Sequence, residues 1–167
     1  DVTGGVEWLA KEGVADRRRI GAYGGSYGGF MTLMALMLAP DLWAAGVSVV
    51  GVVSWKTLYD TTRGDLKDYL ERELGDPAKA ADLYRDRSPL THVSKITAPL
   101  LLLQGANDPR VPRSEADQMI DALRRGNKVF EEHIYAGEGH GFRTRENMID
   151  SLKRATEWFD RYLHAKA

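Results

Sequence analysis

The sequence contains no cysteine, and this absence excludes disulfide bonds, thiol nucleophiles and cysteine-ligated metals. It does not select a compartment, since many exported proteins also lack cysteine. No apolar run reaches the roughly 18 residues of a membrane span. The first five residues have neither the basic start nor the apolar core of a signal peptide. We therefore expect a soluble protein with no membrane partner, and the cytoplasm as its location.

An excess of charge of one sign is also missing. The 23 Lys and Arg residues nearly balance the 24 Asp and Glu residues, and 17–19 is the one tight basic run. Strongly basic patches are typical of nucleic-acid-binding proteins, so we expect no nucleic-acid partner. The four histidines are scattered, without the H-E-x-x-H spacing of a zinc site, and no G-x-x-x-x-G-K-[ST] phosphate loop is present. We expect neither a metal nor a cofactor.

The most distinctive stretch that is present places glycines around one serine, in Gly24-Gly25-Ser26-Tyr27-Gly28. The pattern G-x-S-x-G is typical of a nucleophile elbow, a strained turn between a strand and a helix that exposes the serine hydroxyl. We expect glycine at 24 and 28 because a Cβ at either position would collide with the neighbouring strand or helix. A glycine-rich turn with an incidental serine is the alternative. The apolar segments on both sides favour the elbow.

Apolar segments at intervals along the chain predict alternating helices and strands. In order, we predict a short helix ended by Gly13, a strand over 19–23, a buried helix over 27–39, a strand over 46–50, a buried strand over 99–105, a helix that starts near Ser114 with Asp117 as its cap partner, a strand over 128–135, and a last helix with Met148, Leu152, Ala155, Phe159 and Tyr162 on one face. This alternation predicts one α/β domain over 1–167, with a mostly parallel sheet flanked by helices.

Residues 52–98 lie between two predicted strands and contain three short helical segments. Ordered insertions of this length usually carry function. We interpret 52–98 as a helical insertion on the substrate side.

Asp108 and His140 each follow a predicted strand, as Ser26 does. In parallel sheets, ligands bind at the carboxyl ends of the strands. A serine hydroxyl needs a base to remove its proton, and a carboxylate improves that base by fixing its tautomer. The chain order Ser26, Asp108, His140 is the order of α/β hydrolases. Taken singly, Asp108 could be a turn residue and His140 a solvated loop residue; together they favour a catalytic triad.

Three motifs, over 24–30, 107–112 and 137–142, together resemble the catalytic domain of the prolyl oligopeptidase family of serine peptidases. The nearest branch is that of the acylaminoacyl-peptidase and dipeptidyl-peptidase-like members. The resemblance implies an α/β-hydrolase fold with Ser26 as nucleophile, Asp108 as orienting acid and His140 as general base. It also implies that the backbone N–H of Tyr27, which follows the nucleophile, is one oxyanion donor.

The resemblance further implies several strands before the helix that leads into the nucleophile, and in most members a β-propeller. We expect this chain to lack those N-terminal strands and the second oxyanion donor that they would supply. The strand over 19–23 would then have an open edge. We expect that edge to pair with a chain carrying the missing segment, or with a second copy.

From these observations we predict a serine hydrolase that cleaves peptide or acyl-amino-acid substrates through an acyl-enzyme. A carboxylesterase with the same triad and a catalytically inert assembly module remain open alternatives. A substrate-side role for Arg110 is open as well, beside a solvated one.

Overall fold

The computed structural model describes residues 1–164, which form seven α-helices and four strands. In chain order these are α1 (Val2–Lys11), β1 (Gly21–Gly25), α2 (Tyr27–Leu38), β2 (Ala45–Val49), α3 (Trp55–Thr61), α4 (Asp65–Leu74), α5 (Ala81–Asp86), β3 (Leu100–Gly105), α6 (Arg113–Arg125), β4 (Phe130–Tyr135) and α7 (Arg145–Leu163). Two 3-10 helices, Pro40–Leu42 and Pro89–Lys95, lead into β2 and β3. Helices and strands therefore alternate as the apolar segments predict.

The strands form a parallel sheet in the order β1-β2-β3-β4, so each strand pairs with its neighbour in sequence. Every residue of β3 is buried, as expected of a continuous apolar run covered on both faces. The parallel direction brings the carboxyl ends of all these strands to one edge of the sheet. The predicted α/β architecture is confirmed.

Alternate side chains of β3 pack on opposite faces of the sheet. Leu100 and Leu102 belong to the larger hydrophobic core, which they share with α2 and α6. Leu101 and Leu103 belong to a second core beneath α7, around Trp158. Full burial of a leucine side chain contributes about 1.5–3 kcal/mol. The two cores hold the sheet rigid from both sides, and the loops at its carboxyl edge rest on this support.

Helices α2 and α7 bury less of their apolar surface than predicted. On α2, Met31 is 39% exposed and Leu38 is 65% exposed. On α7, Met148 and Leu152 are exposed, and the buried contact is made further along by Ala155. Periodicity identifies the apolar face of a helix. It does not show how far along that face the neighbouring elements extend.

Helix α6 begins differently from the prediction. Its N-cap is Pro112, whose carbonyl accepts a hydrogen bond from the backbone N–H of Glu115 at 2.8 Å. The predicted cap partner of Ser114, Asp117, instead lies 3.4 Å from the guanidinium of Arg113. The capping prediction is therefore wrong, because proline presets the backbone angle at which the chain enters the helix.

Candidate active site

Ser26 lies on the turn between β1 and α2, where the backbone is strained. Its φ of 57° and ψ of −118° fall outside the regions that a residue with a Cβ readily adopts. The turn is held by a hydrogen bond from the Ser26 N–H to the carbonyl of Val49 at 2.8 Å. The strand, the turn and the helix are thus arranged as the elbow pattern predicts.

Gly24 has no room for a side chain. A Cβ at this position would lie 2.2 Å from the carbonyl oxygen of Gly28, which confirms the steric reason predicted for Gly24. The same reason is wrong for Gly28, whose Cβ would have no neighbour within 4 Å among the described residues. The crowded position on α2 is Gly29, where a Cβ would lie 2.8 Å from the Cα of Gly51. The close approach of α2 to the end of β2 therefore requires glycine one residue later than predicted.

His140 lies on the loop between β4 and α7 and contacts both other members of the predicted triad. Its Nε2 is 2.7 Å from the Oγ of Ser26, and its Nδ1 is 2.8 Å from the Oδ2 of Asp108. The His140 side chain is 20% exposed, whereas that of Asp108 is fully buried. The structure therefore brings together three residues from three loops at the carboxyl edge of the sheet.

Both carboxylate oxygens of Asp108 are satisfied. Oδ1 accepts hydrogen bonds from the backbone N–H groups of Arg110 and Val111, at 2.8 and 2.9 Å. Oδ2 accepts from His140 and, at 3.4 Å, from the side-chain amide of Gln104. Asp108 is thus a turn residue through one oxygen and the partner of His140 through the other. A carboxylate at Nδ1 keeps the proton there and leaves Nε2 free to accept the serine proton.

The backbone N–H of Tyr27 is the first donor of α2. N–H groups in the first turn of a helix have no acceptor within that helix, and the helix dipole is positive at this end. Because Tyr27 follows Ser26 directly, its N–H can donate to an oxygen that becomes negative beside the serine.

An apolar pocket of about 240 Å³ opens beside Ser26 and His140. Its walls come from α2, α3, α4 and the loops after β2 and β3, through Tyr27, Val52, Trp55, Leu58, Leu66, Tyr69, Leu70, Arg110 and Val111. Exposed Arg110 also lines a wider cleft beside 61–66. The walls are mostly hydrophobic and aromatic, with few polar groups, which is typical of a pocket that takes an uncharged group.

The family of the chain follows from comparison with known proteins. The family model Peptidase_S9, described as the prolyl oligopeptidase family, matches residues 1–166. The chain belongs to the prolyl oligopeptidase family. The resemblance inferred from the three motifs is thereby confirmed.

Curated relatives of this prolyl oligopeptidase family chain carry the names expected from the resemblance. Dipeptidyl aminopeptidase BIII of Pseudoxanthomonas mexicana is 39% identical over 88% of the chain. The acylamino-acid-releasing enzyme of Arabidopsis thaliana is 32% identical over 81% of it. The chain spans 22% and 19% of the lengths of these two relatives.

Solved structures of the same class superpose closely on the chain. A puromycin-hydrolyzing peptidase of Mycobacterium tuberculosis matches 98% of it with a TM-score of 0.93 and 31% identity. The acylaminoacyl peptidase of Pyrococcus horikoshii matches 99% of it with a TM-score of 0.89 and 32% identity. The chain covers 25% and 27% of these two structures.

Glu115 is a buried acid that the sequence reasoning missed. The carboxylate of Glu115 accepts hydrogen bonds from the backbone N–H groups of Val53, at 3.1 Å, and Ser54, at 2.8 Å, and from the hydroxyl of Thr57. Burial raises the pKa of Glu115, while these bonds favour its charged form. The available signal was its position four residues before buried Met119, on the apolar face of α6.

A second acid, Glu138, also escaped the sequence reasoning. It is 4% exposed and accepts hydrogen bonds from backbone and side-chain donors between Arg143 and Asn147. Hydrogen bonds, that from Asn147 foremost, lower the pKa of Glu138 to about 2. The available signal was its place two residues before His140.

The remaining histidines lie apart from Ser26. His92 contacts the carbonyl of Asp86, His133 lies 4.0 Å from the carboxylate of Asp150, and His164 contacts Arg19. Within residues 1–164, no three His, Asp or Glu side chains are placed to hold a metal ion. In the same part of the chain, no helix combines the length and apolarity needed to cross a membrane.

Proposed function

We propose that this chain is the catalytic part of a serine peptidase that cleaves peptide or acyl-amino-acid bonds through an acyl-enzyme. The observation that carries the proposal is the hydrogen-bonded path from Ser26 through His140 to Asp108. It provides a nucleophile, a base and a carboxylate that orients the base. The relatives named dipeptidyl aminopeptidase and acylamino-acid-releasing enzyme support peptide or acyl-amino-acid bonds as the substrate class.

In the proposed first step, Nε2 of His140 takes the hydroxyl proton as Oγ of Ser26 attacks the substrate carbonyl carbon. The carbonyl oxygen becomes negative, and the Tyr27 N–H donates to it. Asp108 holds and stabilises the imidazolium through Oδ2, while backbone N–H groups hold the carboxylate in place through Oδ1.

The second half of the cycle uses the same groups in reverse. His140 gives its proton to the departing amine, the C–N bond breaks, and the acyl group remains as an ester on Ser26. His140 then takes a proton from water, the hydroxide oxygen attacks the ester carbon, and Ser26 leaves with the proton returned. The products are a carboxylic acid and an amine.

The pocket beside Ser26 supports an uncharged side chain on the acyl side of the bond that breaks. Trp55, Leu58 and Val111 offer apolar surface to that side chain, and each buried CH₂ contributes about 0.8 kcal/mol. We place Arg110, exposed at the mouth, as a donor to a substrate carbonyl oxygen. Residues 52–98, which supply Trp55, Leu58 and Tyr69, then form the substrate-side insertion.

Fluorophosphonate labelling with peptide mapping tests the proposal. The reagent modifies a serine that a base has activated. We expect stoichiometric modification of Ser26 in the full-length protein and none in the Ser26→Ala and His140→Ala variants. Ser94→Ala is the matched control, because Ser94 is exposed at the opposite end of the sheet, before β3. Folded wild-type protein without a label would contradict the proposal.

Relative turnover of an aminoacyl anilide and a short-chain aryl ester identifies the bond cleaved. We expect both to be hydrolysed, since His140 can protonate the amine that leaves the anilide. Ester turnover without anilide turnover would favour the carboxylesterase. Turnover of neither, in folded protein, would favour the inert assembly module.

A further inference from the structure

We propose that Glu138 is a positioning residue for His140, holding the loop that carries the base in the orientation that reaches Ser26. This inference rests on the proposed function, in which His140 is the base. Glu138 lies two residues before His140, on the loop between β4 and α7, and its side chain points away from solvent. It contacts neither Ser26 nor Asp108 by a hydrogen bond among the described residues, so it can act only through the loop.

The carboxylate of Glu138 binds the far end of the same loop. Its Oε2 accepts a hydrogen bond from the backbone N–H of Arg143 at 2.8 Å. Its Oε1 accepts from the backbone N–H of Thr144 at 3.1 Å, from the Thr144 hydroxyl at 2.9 Å and from the side-chain amide of Asn147 at 2.7 Å. The side chain therefore closes 139–142 into a ring that is tied to the start of α7.

The main chain of Glu138 ties the ring to the loop that carries Asp108. Its carbonyl accepts a hydrogen bond from the N–H of Asn107 at 2.9 Å. The loop is therefore held from two sides, by α7 through the carboxylate and by the loop after β3 through the carbonyl. His140 lies between these attachments, and its imidazole is hydrogen-bonded to Asp108 on one side and to Ser26 on the other.

Only an ionised carboxylate satisfies all the groups around it, because each of them donates. The hydrogen bonds hold the pKa of Glu138 at about 2, so the carboxylate is ionised wherever a histidine base works. A glutamine amide would accept at one oxygen and turn its NH₂ toward the other donors. In a Glu138→Gln variant, the NH₂ group would face either the N–H of Arg143 or the donors of Thr144 and Asn147. Two donors would then face each other, and the closure of the loop over 139–142 would loosen.

Loosening the ring should affect the chemical step and leave substrate binding unchanged. Apart from Ser26 and His140 themselves, the walls of the pocket come from α2, α3, α4 and the loops after β2 and β3, none of which is the loop that Glu138 holds. Proton transfer depends on the 2.7 Å contact between His140 and Ser26. A misplacement of about 1 Å in such a contact can cost on the order of 10²-fold in rate.

The test measures kcat, KM and the fluorophosphonate labelling rate for Glu138→Gln in the full-length protein. The matched control is Glu146→Gln, which removes the same charge from an exposed position in the first turn of α7. We expect kcat and the labelling rate of Glu138→Gln to fall about 10- to 100-fold, at wild-type KM. Glu146→Gln should match the wild type in all three. Wild-type kcat in folded Glu138→Gln would overturn the proposal.

A second variant separates positioning from general loss of stability. Asn147→Ala removes one of the four donors, so we expect a smaller fall in kcat at wild-type KM. In the double variant this change should add nothing to Glu138→Gln, because both act through one ring; additive losses would overturn the proposal. All rates are measured under conditions in which circular dichroism shows folded protein. If Glu138→Gln does not fold, Asn147→Ala alone tests the proposal, and a wild-type kcat in that variant would overturn it. Wild-type protein that fails to label at Ser26 would instead overturn the proposed function.

Discussion

Gly105, at the end of β3, touches Gly139 on the loop that carries His140. A Cβ on Gly105 would lie 2.1 Å from the carbonyl oxygen of Gly139. Gly105 is also paired with Tyr135 at the last register position of β3 and β4. The two strands therefore end side by side, and the loops bearing Asp108 and His140 leave the sheet in contact.

Replacing Gly105 by alanine should displace the His140 loop. The added methyl group meets backbone, which cannot move aside as a flexible side chain can. We expect the free energy of unfolding to fall by about 1–3 kcal/mol and the labelling rate of Ser26 to fall with it. Urea denaturation and labelling kinetics measure the two effects. Gly4→Ala, in open space on α1, is the control and should label normally; normal labelling of Gly105→Ala would contradict the prediction.

Replacement by alanine should change stability differently at Gly24 and at Gly28, the two glycines of the G-x-S-x-G pattern. At Gly24 the new Cβ would lie 2.2 Å from the Gly28 carbonyl oxygen, so Gly24→Ala should destabilise the elbow. At Gly28 there is space, and alanine favours a helix over glycine by about 1 kcal/mol. Gly28→Ala should therefore be neutral or stabilising in thermal unfolding. Equal loss of stability in both variants would show that the crowding around the elbow has been misassigned.

Glu115 should tolerate glutamine better than alanine. Glutamine keeps an acceptor for the N–H groups of Val53 and Ser54 and can donate its NH₂ to the Thr57 hydroxyl. Alanine leaves both buried N–H groups without an acceptor, at about 1–3 kcal/mol for each. Chemical denaturation of Glu115→Gln and Glu115→Ala compares them. Equal stabilities would mean that the carboxylate does not hold the turn before α3.

The stability of the protein at acid pH should depend on Glu138. Its pKa is about 2 in the folded protein, against an ordinary value of 4.5, so the unfolded chain binds more protons between these values. Stability then rises with pH: the contribution is complete above about pH 4.5 and is lost as the pH falls toward 2. Urea denaturation at several pH values should show a shallower acid loss for Glu138→Gln than for wild type. The same loss of stability at acid pH in wild type and Glu138→Gln would show that Glu138 makes no such contribution.

Strand β1 has one open edge in the described part of the chain, since it pairs there with β2 alone. The Ile20 carbonyl faces β2, where it accepts a hydrogen bond from the Ala44 N–H. Successive residues of a parallel strand direct their backbone groups to opposite sides, so the N–H of Tyr23 points to the open side. Open edges of this kind pair with other strands.

We therefore predict that the 167-residue chain, expressed alone, self-associates through β1. Tyr23→Pro removes an N–H on the open side and leaves the pairing with β2 intact, so it should reduce association. Tyr23→Thr keeps the N–H and is the control. Sedimentation velocity measures the assembly state, and a compact monomer of the unsubstituted chain would count against the prediction.

Most of the fold could be predicted from local pattern. The run over 99–105 became β3, Leu100–Gly105, because a short continuous apolar segment suits a strand that is covered on both faces. The strand predicted over 19–23 lies two residues later, at Gly21–Gly25. Its ends are set by hydrogen bonding to β2, Ala45–Val49, and the apolar pattern carries no record of that register.

The three residues of the candidate site could be predicted from the sequence, and the buried acids that hold the neighbouring loops could not. Ser26, Asp108 and His140 follow strands whose carboxyl ends meet, so their order along the chain predicts that they lie close together. For Glu115 and Glu138 the sequence offers only their positions, four residues before Met119 and two residues before His140. An acid on an amphipathic helix or in a loop is usually solvated, and only the folded structure shows that these two are buried.

By itself, the sequence determined the alternation of strands and helices, the elbow and the motifs of the prolyl oligopeptidase family, because each depends on residues adjacent in the chain. Only the tertiary structure decided the 2.7 Å contact across the 114 positions between Ser26 and His140. It also decided that Gly29 is the crowded glycine of α2 and that Glu138 closes the His140 loop. These are distances between segments, and they exist only once the sheet has set the spacing of its strands.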